Sequence, residues 1–251
     1  VNVLAVLLVA ALSVPTFPGP GAVADYQLGG AYRPETGVDV VVRDRTARPV
    51  EGTYSVCYVN AFQTQPGSLR WWRTKHPELL LRDHRGRLVR DAGWPDEVLL
   101  DIRTKRKRVA LARIVGRWID GCDRKGFQAV EPDNLDAWTR SRRLTTKRQT
   151  IGYAKRLVRH THRRGMAIAQ KNTAELLRHR VGFDFAVVEE CQRYRECDAF
   201  VRRYGSQVVE VEYTRSAFRA ACKARAGKHP IQLRDLDVVP RGQRGYVFRH
   251  C

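Results

Sequence analysis

The chain has 251 residues, of which 43% are hydrophobic and 29% charged, and its formal net charge is +20. This length suits one large domain with a sizeable core, and the composition excludes an intrinsically disordered chain. The charge raises polyanion binding, but 37 of the 46 basic residues are Arg, a skew that reads as a solvated basic surface, salt-dependent in its sticking, rather than a specific nucleic-acid interface.

The first element in chain order is an apolar run, Val3 to Val14, broken only by Ser13. It is short for a bilayer span but suits the core of an export signal, although no Lys or Arg precedes it. Ala22-Val23-Ala24 fits a cleavage site before Asp25. The expected organisation is therefore a signal peptide over 1–24 and a single domain over 25–251.

Eight short runs then read as strands: Tyr26–Leu28, Val38–Val42, Tyr54–Val59, Val98–Asp101, Phe127–Glu131, Met166–Gln170, Phe185–Glu189 and Val208–Glu212. Several are almost wholly apolar, as strands covered on both faces should be. Helical periodicity fills the gaps. Arg103 to Lys125 carries one apolar stripe through Val109, Leu111, Ile114, Val115, Trp118, Ile119 and Cys122, with Gly126 as a stop. Thr145 to Arg164 repeats the plan and ends at Gly165, and Ala174–Arg180, Cys197–Tyr204 and Ser216–Ala226 are shorter examples. Gln63 to Trp94 reads as a long loop over one end, and Ile231–Val239 as a further extended element beside the sheet. Strand then helix, repeated, predicts a parallel sheet, and eight repeats predict closure into an α/β (β/α)8 TIM barrel. An open doubly wound sheet is disfavoured, because no Gly-rich phosphate loop follows any strand.

Six cysteines behind an export signal read as disulfides. The expected pairs are Cys191–Cys197 across a short local loop, Cys222–Cys251 pinning the C-terminus, and Cys57–Cys122. No Cys-x-x-Cys occurs, and His160 and His162 lie two apart, where a helix points them in different directions. No metal or cofactor is expected.

The C-terminal ends of parallel barrel strands carry the chemistry. Polar residues stand there in this chain: Tyr58 and Asn60; Asp101; Glu131, Asp133 and Asn134; Gln170, Lys171 and Asn172; Glu189 and Glu190; Glu212 and Tyr213. Carboxylates crowded at strand ends repel one another, which displaces their pKa values. Two carboxyls of different acidity are what glycoside hydrolysis requires, one to protonate the leaving oxygen and one to attack or to activate water. Trp71, Trp72, Trp94 and Trp138 fall in predicted loops or at strand ends and offer faces for sugar rings. No Gly-x-Ser-x-Gly elbow is present.

These segments resemble the proteins of glycoside hydrolase family 114, the endo-α-1,4-polygalactosaminidase family. The resemblance rests on Tyr26-Gln27-Leu28-Gly29-Gly30, Cys57-Tyr58-Val59-Asn60, Leu100-Asp101-Ile102-Arg103, Glu131-Pro132-Asp133-Asn134, Lys171-Asn172, Glu189-Glu190-Cys191 with Cys197, and Val211-Glu212-Tyr213. It implies a secreted barrel that cuts an α-1,4-linked galactosamine polymer internally, with catalytic acids at Glu189 and at Glu131 or Asp133. Tyr58, Asn60, Asp101, Asn134, Lys171, Asn172, Glu190, Glu212 and Tyr213 are the expected substrate contacts. Where the family pattern has Asn before the catalytic Glu, this chain has Val188. The expected partner is an extracellular polysaccharide, met by a monomer with no membrane attachment once the signal is removed. Two other readings stay open: a barrel that binds glycan without cutting it, and a basic extracellular polyanion binder.

Overall fold

The computed structural model describes residues 14–251. The apolar run expected to be an export signal falls almost entirely outside them. The described chain forms a barrel of eight parallel strands, β1 (Ala24–Gln27), β2 (Val40–Asp44), β3 (Tyr54–Asn60), β4 (Ala129–Asp133), β5 (Ala167–Lys171), β6 (Phe185–Glu189), β7 (Val208–Glu212) and β8 (Ile231–Arg234). They pair in sequence order, and β9 (Phe248–His250) adds antiparallel to β8. Side chains close the seam between β1 and β8. The Tyr26 N–H donates to Gln232 Oε1 at 3.0 Å, and the Arg234 guanidinium donates to the Tyr26 carbonyl and lies 3.4 Å from Asp25. At the opposite end from the polar strand ends, Phe17 stacks on Phe185 and meets Tyr54 edge-on.

Seven helices lie between the strands: α1 (Leu69–Lys75), α2 (Lys105–Lys125), α3 (Ala137–Arg140), α4 (Lys147–His162), α5 (Cys191–Tyr194), α6 (Cys197–Tyr204) and α7 (Arg215–Arg225). Local chemistry sets the two longest. Thr104 caps α2 by accepting from the Lys107 N–H, and Gly126 ends it in the left-handed region at φ 92°. Thr146 and Gln149 form a reciprocal capping box at the start of α4. The apolar stripe predicted for α2 is the face that packs on β3 and α4, with Leu111, Ile114, Val115, Ile119 and Cys122 buried.

Strand alternation divides the side chains between two compartments. Val56, Ala129, Ala167, Ala169, Phe185, Val187, Val209 and Val211 fill the lumen with Tyr26, Val40 and Val42. Cys57, Val59, Val130 and Ile168 point outward under α2 and α4. Ala186, Val188 and Val208 point outward under α6.

Three sequence expectations change. Val98–Asp101 is not a barrel strand: Val98, Leu99 and Leu100 make isolated antiparallel bridges to Arg90, Gln63 and Leu80. The excursion from Gln63 to Asp101 thus folds on itself and holds α1, and Ile231–Arg234 supplies the eighth parallel strand. A four-residue apolar run carries no sign of its partner, so periodicity alone could not separate the two. Ala174–Arg180 shrinks to one 3₁₀ turn after Asn172 and Thr173, which both have positive φ. The three expected disulfides are all present, Cys57–Cys122, Cys191–Cys197 and Cys222–Cys251.

Candidate active site

The alternation that fills the lumen also delivers the site. Along β4 the inward positions are Ala129, Glu131 and Asp133. Along β5 they are Ala167, Ala169 and Lys171, and along β6 Phe185, Val187 and Glu189. Val209, Val211 and Tyr213 follow on β7, and Val56 and Tyr58 on β3. Each strand is apolar until its last inward residue or two, and those polar ends meet at the C-terminal mouth.

Lys171 stands at the centre. Its ammonium lies 2.9 Å from Glu131, 3.4 Å from Asp133 and 3.1 Å from Glu189. It also donates to the Tyr26 hydroxyl at 2.7 Å. Burial opposes its charge, but three carboxylates outweigh burial and hold its pKa well above the ordinary value.

Depth separates the two β4 acids. Glu131 is fully buried one layer below the mouth, where it accepts from Tyr26 at 2.7 Å and from Lys171. Burial raises its pKa, and Lys171 only partly offsets this. Asp133 opens to the cleft with 19% of its side chain exposed. It accepts from the Tyr58 hydroxyl at 2.7 Å. Burial pushes its carboxyl up, but Lys171 and the Tyr58 hydrogen bond outweigh burial and hold it below the usual range. Glu189 is 25% exposed. It accepts from Asn172 Nδ2 at 3.0 Å and from the Tyr213 hydroxyl, while its own N–H donates to Asn172 Oδ1 at 2.7 Å.

A cavity of about 550 Å³ opens over this group. Of the candidate site residues, Tyr58, Asp133, Asn134, Lys171, Asn172, Glu189, Glu190 and Tyr213 line it. Asp44, Gln65, Trp94, Glu97, Tyr194 and Asp237 line it as well. Six of the lining residues are acidic, and Lys171 is the one basic residue among them. Burial pushes the Glu97 carboxyl up to about 7, against a hydrogen bond donated by Asn60 at 3.0 Å. Asp44 ends β2 two places after the inward-facing Val42 and could have been found by the same alternation, whereas Glu97, in the excursion from Gln63 to Asp101, carries no strand-end signal. Tyr26, which holds Glu131, could have been found from its inward position on β1.

One candidate catalytic acid and three expected substrate contacts lie outside the cavity. Glu131 is beneath the cleft rather than in it. Asn60 is buried under the site and links Glu97 to Asn134. Asp101, fully buried, is bound by Arg103 at 2.7 Å and by Lys107 of α2. Glu212 points outward from β7 and accepts from the Gln192 N–H at 2.8 Å. Of the tryptophans, only Trp94 borders the cavity. Trp72 is buried against Trp118, Trp71 packs on both, and Trp138 rests on the core. Val188 is buried with Cys191, Cys197 and Phe200.

The model of the glycoside-hydrolase family GH114 matches residues 7–251. Among solved structures, the chain is similar to Aspergillus fumigatus Ega3 in complex with galactosamine, with 20% identity and a TM-score of 0.75 over 93% of this chain and 96% of that one. It is also similar to the glycoside hydrolase domain of PelA from Pseudomonas aeruginosa, with 16% identity and a TM-score of 0.62 over 90% and 98% of the two chains. No curated protein sequence matches it.

Proposed function

The chain belongs to glycoside-hydrolase family GH114 and is a glycoside hydrolase, and from this premise we propose that it cuts an α-1,4-linked galactosamine polymer internally, with Asp133 and Glu189 as the catalytic pair. The observation that carries the reading is the shared ammonium. Lys171 lies 3.4 Å from Asp133 and 3.1 Å from Glu189 at the floor of an acid-lined cleft. The two oxygens that face Lys171 lie at most about 6.5 Å apart, near enough for both groups to act at one anomeric carbon, and the course proposed is a retaining one.

Asp133, held ionised by Lys171 and Tyr58, attacks the anomeric carbon. Glu189, open to the cleft on the facing strand, is placed to supply the proton that the departing glycosidic oxygen takes up as that bond breaks. Glu189, now a carboxylate, takes a proton from the water that displaces Asp133 from the glycosyl ester. Two inversions at one carbon retain its configuration. Glu131 touches no substrate in this scheme, and its part is to position Lys171. A cleft with an excess of carboxylates on a protein of net charge +20 supports a substrate bearing free amines rather than acetamides.

We place the enzyme outside the cell as a monomer. Three disulfides support export, and no helix among the described residues is long and apolar enough to cross a membrane. Phe17 and Ala24 are both buried in the barrel, which favours a leader cut upstream of Phe17 over one after Ala24.

The test is incubation with α-1,4-galactosamine polymers of graded acetylation and with other purified exopolysaccharides, reading released oligomers by mass. Cleavage should fall as acetylation rises. Asp133→Asn and Glu189→Gln should each lose at least about 10³-fold in rate, whereas Glu131→Gln should lose about 10- to 100-fold through misplacement of Lys171. An Asp133→Asn protein as active as Glu131→Gln overturns the assignment. A parent that binds a glycan and cuts none would leave a binding barrel instead.

A further inference from the structure

Among the described residues four large apolar side chains are exposed, and three of them, Trp94, Tyr194 and Leu236, border the same cleft. Single exposed apolar groups need no explanation, but their convergence on one cavity does. The two rings stand on anchored backbone. Trp94 lies in a tight turn where the Glu97 N–H donates to the Trp94 carbonyl at 2.9 Å and the Gly93 N–H donates to the Asp91 carboxylate at 2.8 Å. Asp91, itself buried, is held by Arg140 at 2.7 Å. Tyr194 ends the four-residue α5, which is set between Glu190 and Arg195, both in the left-handed region at φ 55° and 60°. The Cys191–Cys197 disulfide ties α5 to α6, and Gln192 of α5 is clasped by Glu212 through its N–H and by Arg225 through its side chain. Left-handed backbone at non-glycine residues is sustained only where the surroundings over-determine it, as at ligand clamps.

The cleft also continues past the catalytic pair. A second cavity of about 270 Å³ adjoins the first, and Asn172, Glu189 and Tyr194 line both. Glu189 thus faces two chambers, and the Tyr194 ring stands at their junction. Glu175 and Glu196 line the smaller chamber, so an ammonium-bearing ring entering it meets carboxylates there as in the larger one.

We propose that Trp94 in the larger chamber and Tyr194 at the junction are sugar-stacking platforms that hold an amino-sugar chain across both chambers, so that the enzyme recognises several consecutive rings and cuts between them. The proposal rests on the hydrolase reading above. Aromatic rings held in place offer flat apolar faces at small entropic cost, and the axial face of a hexosamine is the apolar surface that matches them.

The experiment compares Trp94→Ala and Tyr194→Ala with Trp94→Tyr and Tyr194→Phe, measuring KM, kcat and product lengths on a long α-1,4-galactosamine polymer. Each Ala variant should raise KM roughly three- to tenfold with kcat changed less than about twofold, and should shift the lengths of the oligomers released. The aromatic variants should restore both readings. Thermal melting curves matching the parent establish that the folds are intact, as expected for side chains exposed at 54% and 59%. Unchanged KM and product lengths in both Ala variants, with an active parent, overturn the platforms and leave the hydrolase reading standing. A parent inactive on every galactosamine polymer overturns the substrate, and the platforms with it.

Discussion

Lys171 is the residue on which the site turns. It is buried, yet three carboxylates of β4 and β6 face it. A buried charge so placed stands only while its partners remain, and removing it leaves those partners unpaired. Its removal has a direction that can be read from pH. Lys171 is the largest influence holding the Asp133 carboxyl below its ordinary range. In Lys171→Met that carboxyl should rise, and since the attacking group must be ionised, the acidic limb of kcat/KM against pH should move to higher pH. The variant should therefore lose more activity at pH 5 than at pH 8. An acidic limb that stays in place would show that Asp133 owes its ionisation to Tyr58 and Asn134. At this scale the sequence supplied residue types but not depth. Glu131 and Asp133 share a strand face, and only their different heights in the lumen make one a support and the other an open carboxylate.

On single elements, the alternation of β7 explains a misplaced expectation and predicts a stability effect. Glu210 and Glu212 face outward under the helices, opposite to Val209, Val211 and Tyr213. Glu210 is clasped by Arg225 at 2.9 Å and by His229 at 3.0 Å, and these partners overcome burial and lower its pKa. For Glu212, burial, joined by the charges of Glu210 and Glu190, outweighs the Gln192 N–H and the Arg225 charge, and its pKa is pushed up to about 7 from the ordinary 4.5. Between those two values the folded protein holds a proton that the unfolded chain has released, so this group's contribution to stability is lost as pH rises through about 7. Glu212→Gln should melt like the parent at pH 5 and be more stable at pH 8, by about 1–2 kcal/mol after allowance for solvent screening. Equal melting temperatures at both pH values would contradict this. The same alternation was open to reading in the sequence, because Glu212 sits one place from Tyr213 and so takes the other face.

The whole molecule sets two fields of opposite sign against each other. The surface carries +20 overall, while the cleft is lined by six acids and one Lys. A cationic polymer is repelled at long range and attracted at contact. Raising ionic strength from about 0.01 to 0.1 M shortens the screening length from about 30 to 10 Å, which removes the first effect before the second. The rate of cleavage of a dilute galactosamine polymer should therefore pass through a maximum in salt. A monotonic fall would mean that the cleft's field already dominates at distance.

What the sequence determined by itself was local and periodic. It carried the alternation of strands and helices, the stop of the long helix at Gly126, and the polar ends of the barrel strands. These depend on spacing along the chain, which geometry turns directly into faces and turns. The tertiary structure decided what depends on neighbours far apart in sequence. It made Ile231–Arg234 the eighth strand in place of Val98–Asp101, seated Glu131 below Asp133, turned Asp101 and Glu212 away from the cleft, and brought Trp94 and Tyr194 to its rim. Barrel closure and side-chain depth are fixed by the register between strands and by the packing of distant loops, and no pattern within a single segment carries that information.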